Sequence, residues 1–417
     1  MLLRLSPAAL LIALSLTTQA QTTPTLEQAL IQSRTSLVLD GGKFSGPGAQ
    51  VLDTAVQQSR FVLLGEDHFT QEIPQVAAAI CDIMHPDAYA VEAGPYATRF
   101  VASLLTTPNR IAQMAAREHA FPNNMAFLNI REENDLAAHC AASSHNPHFA
   151  LWGLDQEFLG AAPTLLNSMA ATNPGPLSRA AIDAAQAKAR SDRAQAATTG
   201  DLTQLFLPAS TDTDIQALQS AIDADGNAAT RDLLHEFTLS RTIYRLFPHS
   251  SSDSNLARIR LLDQHFLANY LPFKQQNPSP HILFKFGDDH TGKGFDEFHR
   301  LNVGDFIAEF AIGEQAQSLH LLVLGARGMH FSQMQYSKPL AQQPFVLSDD
   351  SSYKWAAIAI SNLVSANPTL PGTQLTLFDL RQLRYRGIDL SPQWQRIVYS
   401  NDLLILVPQL SVASIIQ

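Results

Sequence analysis

Two short stretches place a histidine beside carboxylates directly after an apolar run. "RFVLLGEDHF" delivers Glu66, Asp67 and His68, and "HILFKFGDDH" delivers Asp288, Asp289 and His290, both with the spacing Gly-x-x-His. An imidazole titrates near neutral pH, and a carboxylate next to it fixes its tautomer and supports its cation, so such pairs can carry general acid–base chemistry. One match of this kind is weak, since short motifs arise by chance; two, each closing an apolar run, are much stronger. The preceding glycines, Gly65 and Gly287, let the backbone turn sharply and leave room for a ligand. Two further runs, "AYAVEAGP" and "FALWGLDQE", end in Glu92 and in Asp155 with Glu157. The competing reading is structural, because Asp and Glu also serve as turn and cap residues where a helix begins. For Asp67, Asp288 and Asp289 the two readings balance, and for Asp155 and Glu157 helix capping is as good an account as lining a site.

What must position these residues is a set of strands. The four runs above, and "LHLLVLGARG" after them, are continuously apolar, without polar alternation. That pattern suits strands covered on both faces, as in a parallel sheet. Helical spacing lies between them, in "TQEIPQVAAAICDIM", "ATRFVASLL" and "MAFLNIREENDLAAHCAASS". The sequence therefore predicts an α/β fold with a mainly parallel central sheet flanked by helices. Ligands bind such open sheets beyond the C-terminal strand ends. Chain order then sets Glu66, Asp67, His68, Glu92, Asp155, Glu157, Asp288, Asp289 and His290 along one rim. From about residue 160 to 272 the chain is Ala-, Gln- and Leu-rich with helical spacing and no strand-like run, which predicts a helical insertion. Strand-like runs return later, including "TQLTLFDL" and "DLLILVPQL".

The opening "MLLRLSPAALLIALSLTTQAQ" has one positive charge at Arg4, a short apolar stretch and a small-residue site at Thr18-Gln19-Ala20. This is the layout of a secretory signal peptide over residues 1–20, its apolar run being short of the roughly 20 residues that span a bilayer. A mature single domain from Gln21 to Gln417 is expected, exported to the periplasm or medium, with no membrane anchor. The formal charge of −10 argues against nucleic acid as a partner, and 46% hydrophobic with 16% charged residues is ordinary globular composition. Oligomeric state leaves no mark in the sequence. Cys81 and Cys140 are too few for a disulfide framework; pairing with each other and burial as separate thiols stay open.

The motifs carry a resemblance. "LLGEDH" followed by Glu72, "AVEAGP", "FLNIREENDLAAHCAASSHN" with "LWGLDQEF", and "ILFKFGDDHTGKG" resemble the erythromycin esterase-like and ChaN-like superfamily, with a more distant likeness to the TraB/Tiki group. The resemblance spans Arg60 to about Phe310. It implies a centre of Glu66, His68, Glu92 and His290 that activates water against an ester, with His68 as general base, Glu66 and Glu92 as its orienting partners, and His290 as a second acid or oxyanion stabiliser. Asp67, Asp155, Asp288 and Asp289 would contact a small-molecule substrate. Two features depart from the esterase branch. A single residue separates Glu66 from His68, as in the ChaN-like and Tiki-like branches, and the helix after His68 has no arginine, for which Arg99 is a candidate stand-in. The resemblance thus implies the superfamily and not macrolide hydrolysis.

No Gly-x-Ser-x-Gly elbow, His-Glu-x-x-His, Walker A loop or dinucleotide fingerprint is present. The leading expectation is a hydrolase of an ester or related acyl bond that needs no cofactor. Two histidines and two glutamates are also adequate zinc or manganese ligands, giving a Tiki-like peptidase as one alternative. A ChaN-like haem or ligand binder without chemistry is the other.

Overall fold

The structure, a computed structural model, describes residues 23–296, 298–331, 336–338, 340–349, 354–361 and 373–417; the expected signal peptide lies outside them. Its strands are β1 (Arg34–Asp40), β2 (Lys43–Ser45), β3 (Phe61–Glu66), β4 (Ala88–Val91), β5 (Ala150–Gly153), β6 (Ile282–Gly287), β7 (Ser318–Gly325), β8 (Arg327–Phe331), β9 (Gln342–Val346), β10 (Thr373–Asp379) and β11 (Leu403–Val407). Nine of them form one sheet in the order β2-β1-β10-β11-β7-β3-β6-β4-β5, while β8 and β9 make a separate hairpin. The run from β11 through β7, β3, β6 and β4 to β5 is parallel throughout. β10, β1 and β2 extend it antiparallel. The fold is therefore α/β with a mainly parallel sheet, as the continuous apolar runs indicated.

Every residue of β3, β6 and β11 is buried, because helices cover both faces. On one face Val62, Leu64, Val91 and Leu283 pack with Ile73, Val76, Ile80 and Leu136. On the other Phe61, Leu63, Ala90, Phe284 and Phe286 pack with Leu262, Phe266, Tyr270, Val303 and Ile307. Each large apolar side chain so buried contributes about 1.5–3 kcal/mol, which makes the two charges within these strands, Glu66 at the end of β3 and Lys285 inside β6, conspicuous exceptions.

Helix Glu72–Met84 buries Ile73, Val76, Ala77, Ile80 and Met84, one stripe at helical spacing, with Glu72 in its first turn. It ends at His85 in left-handed conformation. Helix Arg131–Ser143 starts later than its periodicity suggests. Phe127 takes a positive φ of 56° and Ile130 forms an antiparallel bridge with Ile415, so residues 125–130 are spent on a loop. A disulfide between Cys81 and Cys140, with Cα atoms 5.2 Å apart, staples these two covering helices together. Between β5 and β6 the chain forms only helices, among them Pro176–Thr199, Ala228–Leu246 and Ser251–Gln276. Several of them share a core of their own, including Leu166, Ile182, Leu218, Leu234 and Phe237.

Candidate active site

β3, β6, β4 and β5 are neighbours in the sheet, so their C-terminal ends bring Glu66, Gly287, Glu92 and Asp155 to one edge although up to 221 residues separate them in the chain. Glu66 closes β3, directly opposite Gly287 of β6. His68 Nδ1 donates to Glu66 Oε1 at 2.9 Å, and its Nε2 lies 3.3 Å from Glu92 Oε2. The Gly287 N–H donates to the same Glu92 oxygen at 2.7 Å. A side chain at Gly287 would put its Cβ 2.8 Å from His68 Nε2, which is why glycine occupies this strand end. Glu92 Oε1 takes Arg258 Nη2 at 2.5 Å and faces His290 Nε2 at 3.7 Å. Glu92 thus stands between the two imidazoles, one oxygen toward each.

Two cations that the sequence reading missed complete the cluster. Lys285 rises from β6, its side chain 2% exposed, and pairs with Glu66 Oε1 and, at 2.5 Å, with Glu133 Oε1 of helix Arg131–Ser143. Its signal in the sequence was a lone charge inside the apolar run "HILFKFG". Arg258 enters from the opposite face on helix Ser251–Gln276 and grips Asp155 through Nε at 2.9 Å and Nη2 at 2.5 Å. Its Nη1 donates to His290 Nε2 at 3.0 Å. No local pattern marks Arg258, because it is one of two arginines, with Arg260, on a long helix without a sharp apolar stripe. Arg99, the candidate stand-in, is exposed, with its guanidinium over the Tyr96 ring at 4.5 Å.

The remaining carboxylates sort themselves. Asp155 orients Arg258, while Glu157 accepts the Tyr96 N–H at 2.6 Å and so caps helix Pro95–Ala102. Asp67 points to the β8–β9 hairpin, where its Oδ2 lies 3.3 Å from His330 Nδ1. Asp288 and Asp289 line a separate small cavity with Lys293, Arg396 and Ser400, away from His68 and Glu92. The helix Asp288–Thr291 that starts there buries His290 and Thr291, and His290 faces Arg258.

Burial alone would strip the proton from His68, but the charge of Glu92 and hydrogen bonds to both carboxylates outweigh it and lift its pKa to about 10. Glu92 is correspondingly held well below the usual carboxylate range; burial opposes this and His68 and Arg258 prevail. Lys285 and His68 likewise hold Glu66 down against burial. His290 goes the other way, since burial and the adjacent Arg258 both push its pKa below the ordinary value. At neutral pH the site therefore holds a charged His68, its side chain 22% exposed, and a neutral His290, 10% exposed. With both carboxylates against it, His68 rests charged, as a proton donor, where the resemblance implies a general base.

Phe127 stacks on His68 with ring centroids 4.2 Å apart, and Phe69 meets it edge-on at 6.0 Å. Both phenylalanines hold left-handed backbone, φ 56° and 67°, a cost of about 1–3 kcal/mol each that bulky residues rarely bear outside functional sites. Glu66 Oε2 is buried without a hydrogen-bond partner, so the pocket retains one unsatisfied acceptor. The donor set does not suit a divalent ion: Glu66 and Glu133 are taken by Lys285, Glu92 and Asp155 by Arg258, and His68 by Glu66 and Glu92. Nor does it offer haem an axial imidazole, since the ring nitrogens of both histidines are engaged.

No family model and no curated protein matches the chain in sequence. Three solved structures share its fold. A mutant of the erythromycin esterase EreC in its open conformation superposes with a TM-score of 0.59 at 13% identity, covering 92% of this chain and 99% of that one. A succinoglycan biosynthesis protein gives 0.54 at 13% identity, over 93% and 97%. A Bacillus cereus protein gives 0.56 at 12% identity, over 94% and 98%.

Proposed function

We propose that the chain is an exported hydrolase of the erythromycin esterase-like superfamily that cleaves an ester or related acyl bond of a small molecule. The observation that carries this reading is Glu92 set between a charged and a neutral imidazole, at the ligand-binding edge of a fold shared with an erythromycin esterase.

Ester hydrolysis needs an acceptor for the proton of water and positive charge for the carbonyl oxygen or leaving group. His290, neutral in the resting site, takes the proton as water adds to the acyl carbon. Arg258, which covers its Nε2 at rest, turns to the developing oxyanion. The acyl–oxygen bond then breaks, and the leaving alkoxide takes the proton of His68. Return of a proton from His290 to His68, past the Glu92 carboxylate, restores the starting state. The scheme needs no metal, since His68, Arg258 and Lys285 already pair with the carboxylates of the site. The net charge of −10 suits a small-molecule substrate and no nucleic-acid partner.

The test is a panel of aryl esters, aliphatic esters and lactones given to the purified mature protein with a chelator present throughout. Wild type is expected to turn over at least one of them, with His68→Asn and His290→Asn each slower by about a hundredfold or more and still folded by circular dichroism. Background rates across the whole panel, or activity only after metal is restored, would count against it.

A further inference from the structure

His290 is held at both ring nitrogens by groups that leave no choice of tautomer. Arg258, which can only donate, points Nη1 at Nε2 from 3.0 Å, so Nε2 must carry a lone pair. At the other nitrogen Asn302 Oδ1 lies 3.0 Å from Nδ1. The amide cannot turn round, because its Nδ2 donates to Asp296 Oδ2 at 2.8 Å and Asp296 serves only as an acceptor there. Both Asp296 oxygens receive N–H groups, from Phe298 N and Arg300 N at Oδ1 and from Arg300 Nε at Oδ2. His290, Asn302 and Asp296 are all buried.

We propose that Asn302, oriented by Asp296, is the positioning residue that keeps the proton of His290 on Nδ1 and so makes Nε2 the atom that can accept one. Asn302 occupies the N-cap position of helix Val303–Gly313, yet its side chain makes no cap hydrogen bond. Thr25, Thr211, Asn227, Ser250 and Ser391 do make it at theirs. An asparagine cap normally satisfies an orphan N–H of its own helix, worth about 1 kcal/mol. Here that bond is given up in favour of His290 and Asp296, which a purely structural cap would not do. Nothing in the sequence around Asp296 marks it as a partner of the site.

The tautomer stands on geometry alone; its catalytic consequence rests on the hydrolase reading above. The charged and titratable groups facing His290 are Arg258, Glu92 and Asp155, with Asp296 behind Asn302. Nitrogen-15 NMR of the imidazole rings decides the point, with the His290 signals assigned by their loss in His290→Gln. Wild type should show a protonated Nδ1 and a bare Nε2. In Arg258→Met, which removes the donor at Nε2, that preference should persist, and adding Asn302→Leu, which keeps the volume and removes the acceptor, should abolish it. Asp296→Asn in the same background, which frees the amide to turn, should give a mixture. For any ester the wild type cleaves, kcat should fall about a hundredfold in Asn302→Leu with KM little changed. A wild-type proton on Nε2 would overturn the proposal, as would an unchanged tautomer when Asn302→Leu is added to a folded Arg258→Met protein. If the tautomer is as stated but no ester is cleaved, the hydrolase reading fails and the positioning role stands.

Discussion

His68 and His290 are the same side chain in opposite surroundings, and the difference sets a pH profile. His68 lies against two carboxylates and keeps its proton to about pH 10, whereas His290 lies against a guanidinium and loses its proton below the ordinary value of 6.5. If the reaction needs the first charged and the second neutral, kcat/KM should rise on an acid limb below pH 6.5, stay level through neutrality, and fall on an alkaline limb near 10. The stability signs follow. The raised pKa of His68 contributes stability present in full below about 6.5 and lost as pH climbs toward 10. The lowered pKa values of Glu66 and Glu92 contribute stability present above about 4.5 and lost as pH falls through their depressed values. An alkaline limb at pH 6–7 in a pH–rate series would contradict the assignment of His68 as the charged partner.

At the scale of elements, the rim around His68 is held by the segment 411–417. Ala413 N donates to Phe69 O at 2.9 Å, Gln71 N to Ser411 O at 3.0 Å and Ser411 N to Glu72 Oε2 at 2.8 Å. A few residues on, Arg131 N donates to Ser414 O at 2.7 Å and Ile416 N to Asn129 O at 2.8 Å. One strap therefore ties together the two loops that press Phe69 and Phe127 against His68 in their unfavourable backbone conformations. Removing residues 411–417 is expected to raise hydrogen exchange at Phe69–Gln71 and Asn129–Arg131 while leaving β3, β6 and β11 protected, and to cut turnover about tenfold through looser placement of His68. Unchanged exchange at both loops would show that they hold themselves.

Around the site the sheet is covered on one face by two stapled helices and on the other by helices Ser251–Gln276 and Val303–Gly313. Cys81 and Cys140, 59 residues apart, join helices Glu72–Met84 and Arg131–Ser143, and the second of these carries Glu133 to Lys285. Chain entropy puts the worth of a loop of this length at about 4 kcal/mol. Urea unfolding of the reduced or Cys81→Ala/Cys140→Ala protein should therefore show a stability lower by about that amount; an equal midpoint and slope would mean the bridge adds nothing. Such a bridge suits an oxidising compartment, which supports the proposal of export. Among the described residues no helix is long and apolar enough to cross a membrane.

By itself the sequence determined the sheet and the identity of its edge residues. Runs such as "RFVLLGE" and "HILFKFG" are buried on both faces whatever their neighbours, and Glu66, His68, Glu92 and His290 stand out because each follows such a run. Strand order was a matter for the tertiary structure: β6 inserts between β3 and β4, so that Gly287 meets Glu66 and Glu92. The same packing brought Lys285 and Arg258 in from opposite faces. A charge state depends on the distance to every neighbouring charge, and those distances are properties of the packed chain. Which histidine holds the proton was therefore decided only when the fold closed around them.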